Sequence, residues 1–165
     1  MQRFLSDLTG ASTRWGRTIL YGFIAARASI TLVGIAVVLI WGEAGYEGFS
    51  GLLDQADLVV ALVAIAVAPL VEQLMVLFIV WVLAFVLRLP GGIAAVLTGL
   101  GFGALHGLAP ASLSVVPLFI LLALIQIHWA RRRKGMTGFW IGVAIHALTN
   151  ATAVGTLFLL EAPPA

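Results

Sequence analysis

Glu72 is the single carboxylate between Asp57 and Glu161, and it lies in an apolar run that no soluble protein would carry. A lone acid in hydrocarbon is costly to bury, which makes it a functional-site candidate wherever partners for it can be named. The chain offers three: His106, His146 and Asn150, the last being its only asparagine. In Phe102-Gly-Ala-Leu-His106 the aromatic ring and the imidazole are four residues apart, on one face of a helix. In His146-Ala-Leu-Thr-Asn150 an imidazole and an amide share a face in the same way. A glutamate, two histidines and an asparagine on three apolar segments suit activation of a water molecule. A carboxylate and an imidazole can hold and deprotonate it, while a second imidazole and an amide steady a developing oxyanion.

Each piece alone has a plainer reading. A histidine within a span often serves only as a hydrogen bond between helices. Gly99, Gly103 and Gly107 form a small-residue ridge that reads first as close helix packing. Gln126 is expected to hydrogen-bond between helices, and His128, beside a basic run, reads as interfacial and is set aside. The weight lies in the joint occurrence, because every histidine or asparagine deep in the apolar runs belongs to one of these patterns.

The elements that must position these residues are membrane spans. With 62% hydrophobic and 10% charged residues, the composition lies far from soluble domains, in which about a quarter of residues are charged. The absence of cysteine removes disulfides, thiolate chemistry and cysteine-type zinc sites. A crossing helix needs about 20 apolar residues. Five segments meet this: 18–41, 58–87, 92–108, 113–129 and 137–160, giving an all-α, polytopic transmembrane bundle in one domain. The first is longer than a signal-peptide core, and no A-x-A-like site follows it, so it reads as a retained span. Residues 1–17 form a basic segment before the bundle of 18–160, and 161–165 a short tail. The second segment is too long for one upright span, and Pro69 within it predicts a kink or break.

Basic residues orient the bundle. Arg3, Arg14 and Arg17 precede the first span, Arg88 follows the second, and Arg131-Arg-Arg-Lys134 joins the last two. All fall on one side, the cytoplasmic one, which places the N-terminus inside. The loop with Glu43, Glu47, Asp54 and Asp57 then faces outward. Trp15, Trp129 and Trp140 form an inner aromatic belt and Trp41 an outer one. Such a basic run between spans is topology information rather than a nucleic-acid footprint. Arg27, inside the first span, either snorkels to the inner interface or pairs with Glu72.

The order A-P-x-x-E (68–72), F-x-x-x-H (102–106) and H-x-x-x-N (146–150) resembles the CPBP family of intramembrane proteases. That family includes the type II CAAX prenyl endopeptidases and the bacterial Abi proteins, and the resemblance covers about residues 60–155. It implies a membrane-embedded peptidase in which Glu72 and His106 activate the attacking water, with His146 and Asn150 as the oxyanion site. Some accounts assign the family a metal; one acid and two histidines do not decide that, and no cofactor is assigned. The implied partners are membrane lipid and a peptide or protein substrate, and the implied setting a bacterial inner membrane.

Two departures bear on activity. Gln73 stands where the family has a second glutamate, and Leu77 where it has an arginine. Without that cation the burial of Glu72 is less offset. One span precedes the motif region and none follows it, which leaves little apparatus for gripping a substrate. A second reading is therefore a catalytically silent relative, a binding or scaffolding subunit of a membrane complex. A third, a small proton-relay transporter, lacks the inverted repeat such folds show.

Overall fold

In hydrocarbon every backbone N–H and C=O must find a partner within the protein, so an apolar chain of this kind crosses as helices. The computed structural model describes residues 15–42, 45 and 58–161. Arg3, Arg14 and the acidic loop of Glu43, Glu47, Asp54 and Asp57 lie outside the described residues, as does the tail beyond Glu161. Five long helices form, with no strand among the described residues. Helix α1 is Trp15–Trp41. Helix α2 runs without interruption through Leu58–Leu62, a π-helical stretch Val63–Val67, Ala68–Val80 and a second π-helical stretch Trp81–Val86. Helix α3 is Gly91–Leu105, and a 3-10 turn, Pro110–Val115, leads into α4, Val116–Arg131. Helix α5 is Gly135–Glu161.

Three of these stretches are long and apolar enough to cross a membrane, namely α1, α2 and the turn with α4 (Pro110–Arg131); α3 is apolar but shorter. The chain is an integral membrane protein. Half of the apolar window of α4 is buried, against 11% for α1 and 22% for α2, so α4 is the central post. Phe119, Leu122, Ala123 and Ile125 of α4 meet Val76 and Val80 of α2, Ala95 and Phe102 of α3, and Ile141 and Ile145 of α5. Helix α1 closes one side, where Gly22 lets the Ile145 side chain lie against its backbone.

Several boundaries differ from the hydropathy pattern. At Pro69, where the pattern leaves a kink and a break both open, the chain does not break: the helix widens into the π form ahead of the proline and continues. The third apolar segment ends as helix at Leu105, not 108, because His106 caps it and Gly107 turns the chain at φ +126°. The fourth helix begins at Val116, not 113. Ser112 and Ser114 hydroxyls donate to the carbonyls of Ala109 and Ala111, which holds a tight turn there instead. Gly107 therefore leaves the expected glycine ridge, and Gly99 and Gly103 pack on this chain's own α4. Trp129, two residues before the end of α4, is buried within the bundle. Gln126 does donate between helices, from its amide to the Gly135 carbonyl at 3.1 Å.

Helix α4 ends in a paired hydrogen-bond cap. Arg133 N–H reaches the Ala130 carbonyl at 2.9 Å and Lys134 N–H the Trp129 carbonyl at 2.9 Å. Arg133 takes the left-handed position, φ 58°, that glycine usually fills.

At Gly99 a β-carbon would fall 2.5 Å from Ile120 Cγ1 and 2.8 Å from the Val116 carbonyl oxygen, whereas Gly101 on the same helix has open space around it. Gly99→Ala should therefore cost about 1–3 kcal/mol by overpacking. Gly101→Ala should be neutral or stabilising by up to about 1 kcal/mol through helix propensity. Thermal unfolding of the two variants in detergent checks the contrast.

Candidate functional site

The first motif is shaped by what Pro69 lacks. In the π-helical stretch the Ala68 N–H donates to the Val63 carbonyl, five residues back. In that register the next donor would be residue 69 and the next acceptor Ala64, but proline has no N–H to give. The Asn150 amide on α5 takes its place, with Nδ2 donating to the Ala64 carbonyl oxygen at 2.8 Å. An unmet carbonyl in an apolar interior costs about 1–3 kcal/mol, so this bond both heals the helix and pins α5 to α2. One turn further along α2 stands Glu72, on the stretch that the Asn150 bond holds against α5.

There Glu72 meets His146. Its Oε2 lies 3.4 Å from His146 Nε2, with the imidazole buried and the carboxylate about a quarter exposed. The contact is an ion-pair distance but too long for a good hydrogen bond. Glu72 Oε2, His146 Nδ1 and both amide atoms of Gln73 are buried without a hydrogen-bond partner. Gln73 itself fits only because residue 142 is glycine. A β-carbon there would fall within 2.5–2.7 Å of the Gln73 amide atoms, and Gly142 lies one turn before His146 on α5.

His106 enters from the end of α3. Its Nδ1 lies 2.9 Å from the Phe102 carbonyl; a carbonyl can only accept, so Nδ1 carries the proton and Nε2 presents its lone pair. The ring is exposed and within electrostatic range of both Glu72 and His146. Phe119 packs against both imidazoles. Its ring centre is 5.6 Å from that of His106 and 5.3 Å from that of His146, edge-on to the latter. Phe102 stacks on Phe119 at 3.9 Å and fixes its plane.

The four residues singled out from sequence thus gather at one place in the bundle but do not all touch. Glu72 and His146 are in contact, His106 packs against Phe119, and Asn150 is one turn from His146 with one of its two N–H groups given to Ala64. Arg27 is not a partner of Glu72. Among the described residues it makes no ion pair, and the carboxylate pairs with His146 instead. Leu77, at the position of the family's arginine, lies with Leu74, Phe78 and Trp81 along a groove on the outside of α2 and offers Glu72 no charge. Among the described residues no three His, Cys, Asp or Glu side chains are gathered closely enough to hold a metal ion. The donor set therefore does not fit a metal centre, and no step is routed through one.

Comparison with known proteins bears on this arrangement. The profile of the type II CAAX prenyl endopeptidase Rce1-like family matches residues 54–152, which take in α2, α3, α4 and α5 as far as the turn that holds Asn150. The chain belongs to this Rce1-like family. No curated protein and no solved structure matches it significantly. Within the Rce1-like region fall all four motif residues, together with Gln73, Gly142 and Phe119. Neither Phe119 nor Gly142 stood out in the sequence. Gly142 carried a usable signal, four residues before His146 on the same face; Phe119, one of nine phenylalanines, carried none.

The role of Asn150 in the helix can be separated from any role in chemistry. Asn150→Ala should lower stability by about 1–3 kcal/mol, the cost of the orphaned Ala64 carbonyl. Adding Pro69→Ala should recover most of it, because an N–H at residue 69 lets α2 satisfy its own carbonyls. A double-mutant cycle of unfolding in detergent reads the coupling; strict additivity would show that the two groups do not serve one carbonyl.

Proposed function

We propose that the chain is a membrane-embedded peptidase that hydrolyses a peptide bond with a water activated by Glu72 and His106. What carries this reading is the convergence of Glu72 on α2 with His146 on α5 at 3.4 Å, with His106 of α3 in electrostatic range. Hydrolysis needs a base with a free lone pair, and His106 Nε2 and the Glu72 carboxylate both qualify. The water oxygen attacks the carbonyl carbon while its proton passes to this pair. The resulting oxyanion takes hydrogen bonds from His146 and from the second N–H of Asn150. Collapse breaks the C–N bond, and the proton returns to the leaving amine, giving one carboxylic acid and one amine for each water consumed. The unpartnered polar atoms of Glu72, Gln73 and His146 support the reading, since groups buried this way demand partners that a water and a substrate amide supply. Lipid surrounds the site, the substrate is a peptide or protein, and a bacterial inner membrane is the setting this reading takes.

A second reading, a catalytically silent scaffolding subunit, draws on two observations. One Asn150 N–H is already used by the Ala64 carbonyl, and Gln73 and Leu77 remove the charges that would accompany Glu72. The two readings part at one substitution. Under the first, Glu72→Gln reduces cleavage of a membrane-anchored reporter peptide by at least about a hundredfold, within the range general-base catalysis supplies, with expression and unfolding temperature retained. Cleavage that persists in Glu72→Gln removes Glu72 as the base; absence of cleavage by the unaltered chain, with a stable partner retained in both forms, favours the scaffold.

A further inference from the structure

Among the described residues Arg27 is a cation without an anion. It lies twelve residues beyond Trp15 and fourteen before Trp41 on α1, a rise of about 18 Å from one end and 21 Å from the other. With a hydrocarbon layer about 30 Å thick centred on α1, Arg27 falls near its middle, and the nearer interface lies beyond the reach of its side chain. Snorkelling, which serves charges a turn or so inside a membrane, does not serve this one. No described residue forms an ion pair with it. A charge at this depth calls for a partner.

The surroundings indicate where that partner comes from. Leu20, Ile24, Arg27, Thr31, Ile35 and Val38 follow one another at three- and four-residue steps and form a single stripe along α1. All but Arg27, which is half-buried at the stripe's edge, are exposed, and α1 has the smallest buried share of the three long apolar spans. Ala28 and Thr31, exposed on α1 just after Arg27, are small enough to admit a neighbouring backbone. A second copy of this chain does not fit the stripe, since it would set Arg27 against Arg27, and the one described acid within the spans, Glu72, is engaged by His146.

We infer that this stripe of α1 is a docking surface for a transmembrane helix of another protein that carries a carboxylate at mid-depth, which Arg27 binds by a charge-assisted, two-pronged hydrogen bond. The surface lies outside the Rce1-like region and is independent of whether Glu72 is catalytic. It gives either function a means of selecting its client or its complex.

The test uses the full chain, donor-labelled, in phosphatidylcholine vesicles with an acceptor-labelled Leu–Ala helix bearing one central glutamate. Companion helices carry leucine or lysine at that position, and energy transfer reports association. The glutamate helix should bind roughly five- to tenfold more tightly than the leucine helix, the scale of a polar contact between membrane helices. Arg27→Leu should abolish that preference, Arg27→Lys should keep part of it, and Arg27→Glu should transfer it to the lysine helix. Equal binding of the glutamate and leucine helices by the unaltered chain overturns the inference, and this comparison stands even if Arg27→Leu fails to fold. A preference that survives Arg27→Leu overturns it as well. So does one that vanishes when anionic lipid is added, since a lipid headgroup would then be the true partner.

Discussion

One missing hydrogen organises the middle of this protein. Pro69 cannot donate to the Ala64 carbonyl, and hydrocarbon offers no solvent to do so instead. The helix answers by widening ahead of the proline, and α5 answers by lending an amide. Because that amide belongs to a particular residue at a particular height, the bond sets how far along α5 the α2 helix must lie. The same registration places Glu72 opposite His146, one turn before Asn150. A backbone defect has become an alignment device, in line with the tendency of π-helical insertions to occur beside functional sites.

A different economy governs the polar residues themselves. His106 is fixed by the carbonyl of Phe102, one turn back on its own helix, so its tautomer needs no help from the rest of the bundle. His146 and Gln73 lack such local partners and are held by shape: a glycine beneath the amide, an aromatic edge against the imidazole. The low dielectric around them strengthens each interaction they do make. Phe119 packs against both imidazoles, edge-on to the one that meets the acid, so one buried aromatic ring is shared by two of the titratable groups.

Much of this was readable in the chain alone, and the reasons for the rest are physical. Apolar length predicts spans well, because the bilayer imposes it. Four-residue spacing correctly placed His146 and Asn150 along one flank of α5, as helical geometry alone requires. What the pattern does not carry is the ends of α3 and α4. Apolar side chains continue through Leu108 and Leu113–Val115 while the backbone turns, and the hydroxyls that hold the turn are inconspicuous among them. Nor does it carry long-range bonds. The link from Asn150 to Ala64 spans 86 positions and ends on a backbone oxygen, which has no letter in the sequence. The pairing of Glu72 with Arg27 failed for a related reason, since sharing a hydrophobic environment says nothing about which side of the central α4 each helix occupies.

Helix α3 has fifteen residues and rises only about 22 Å, well short of a typical acyl layer. Ile93, Val96, Leu97 and Leu100 on its outer face meet lipid all the same. Acyl chains must compress beside it or its polar flanks must be drawn inward, so the bilayer dimples locally. Such a dimple at the helix's far end would bring the headgroup region, and solvent with it, closer to His106 without a channel through the bundle.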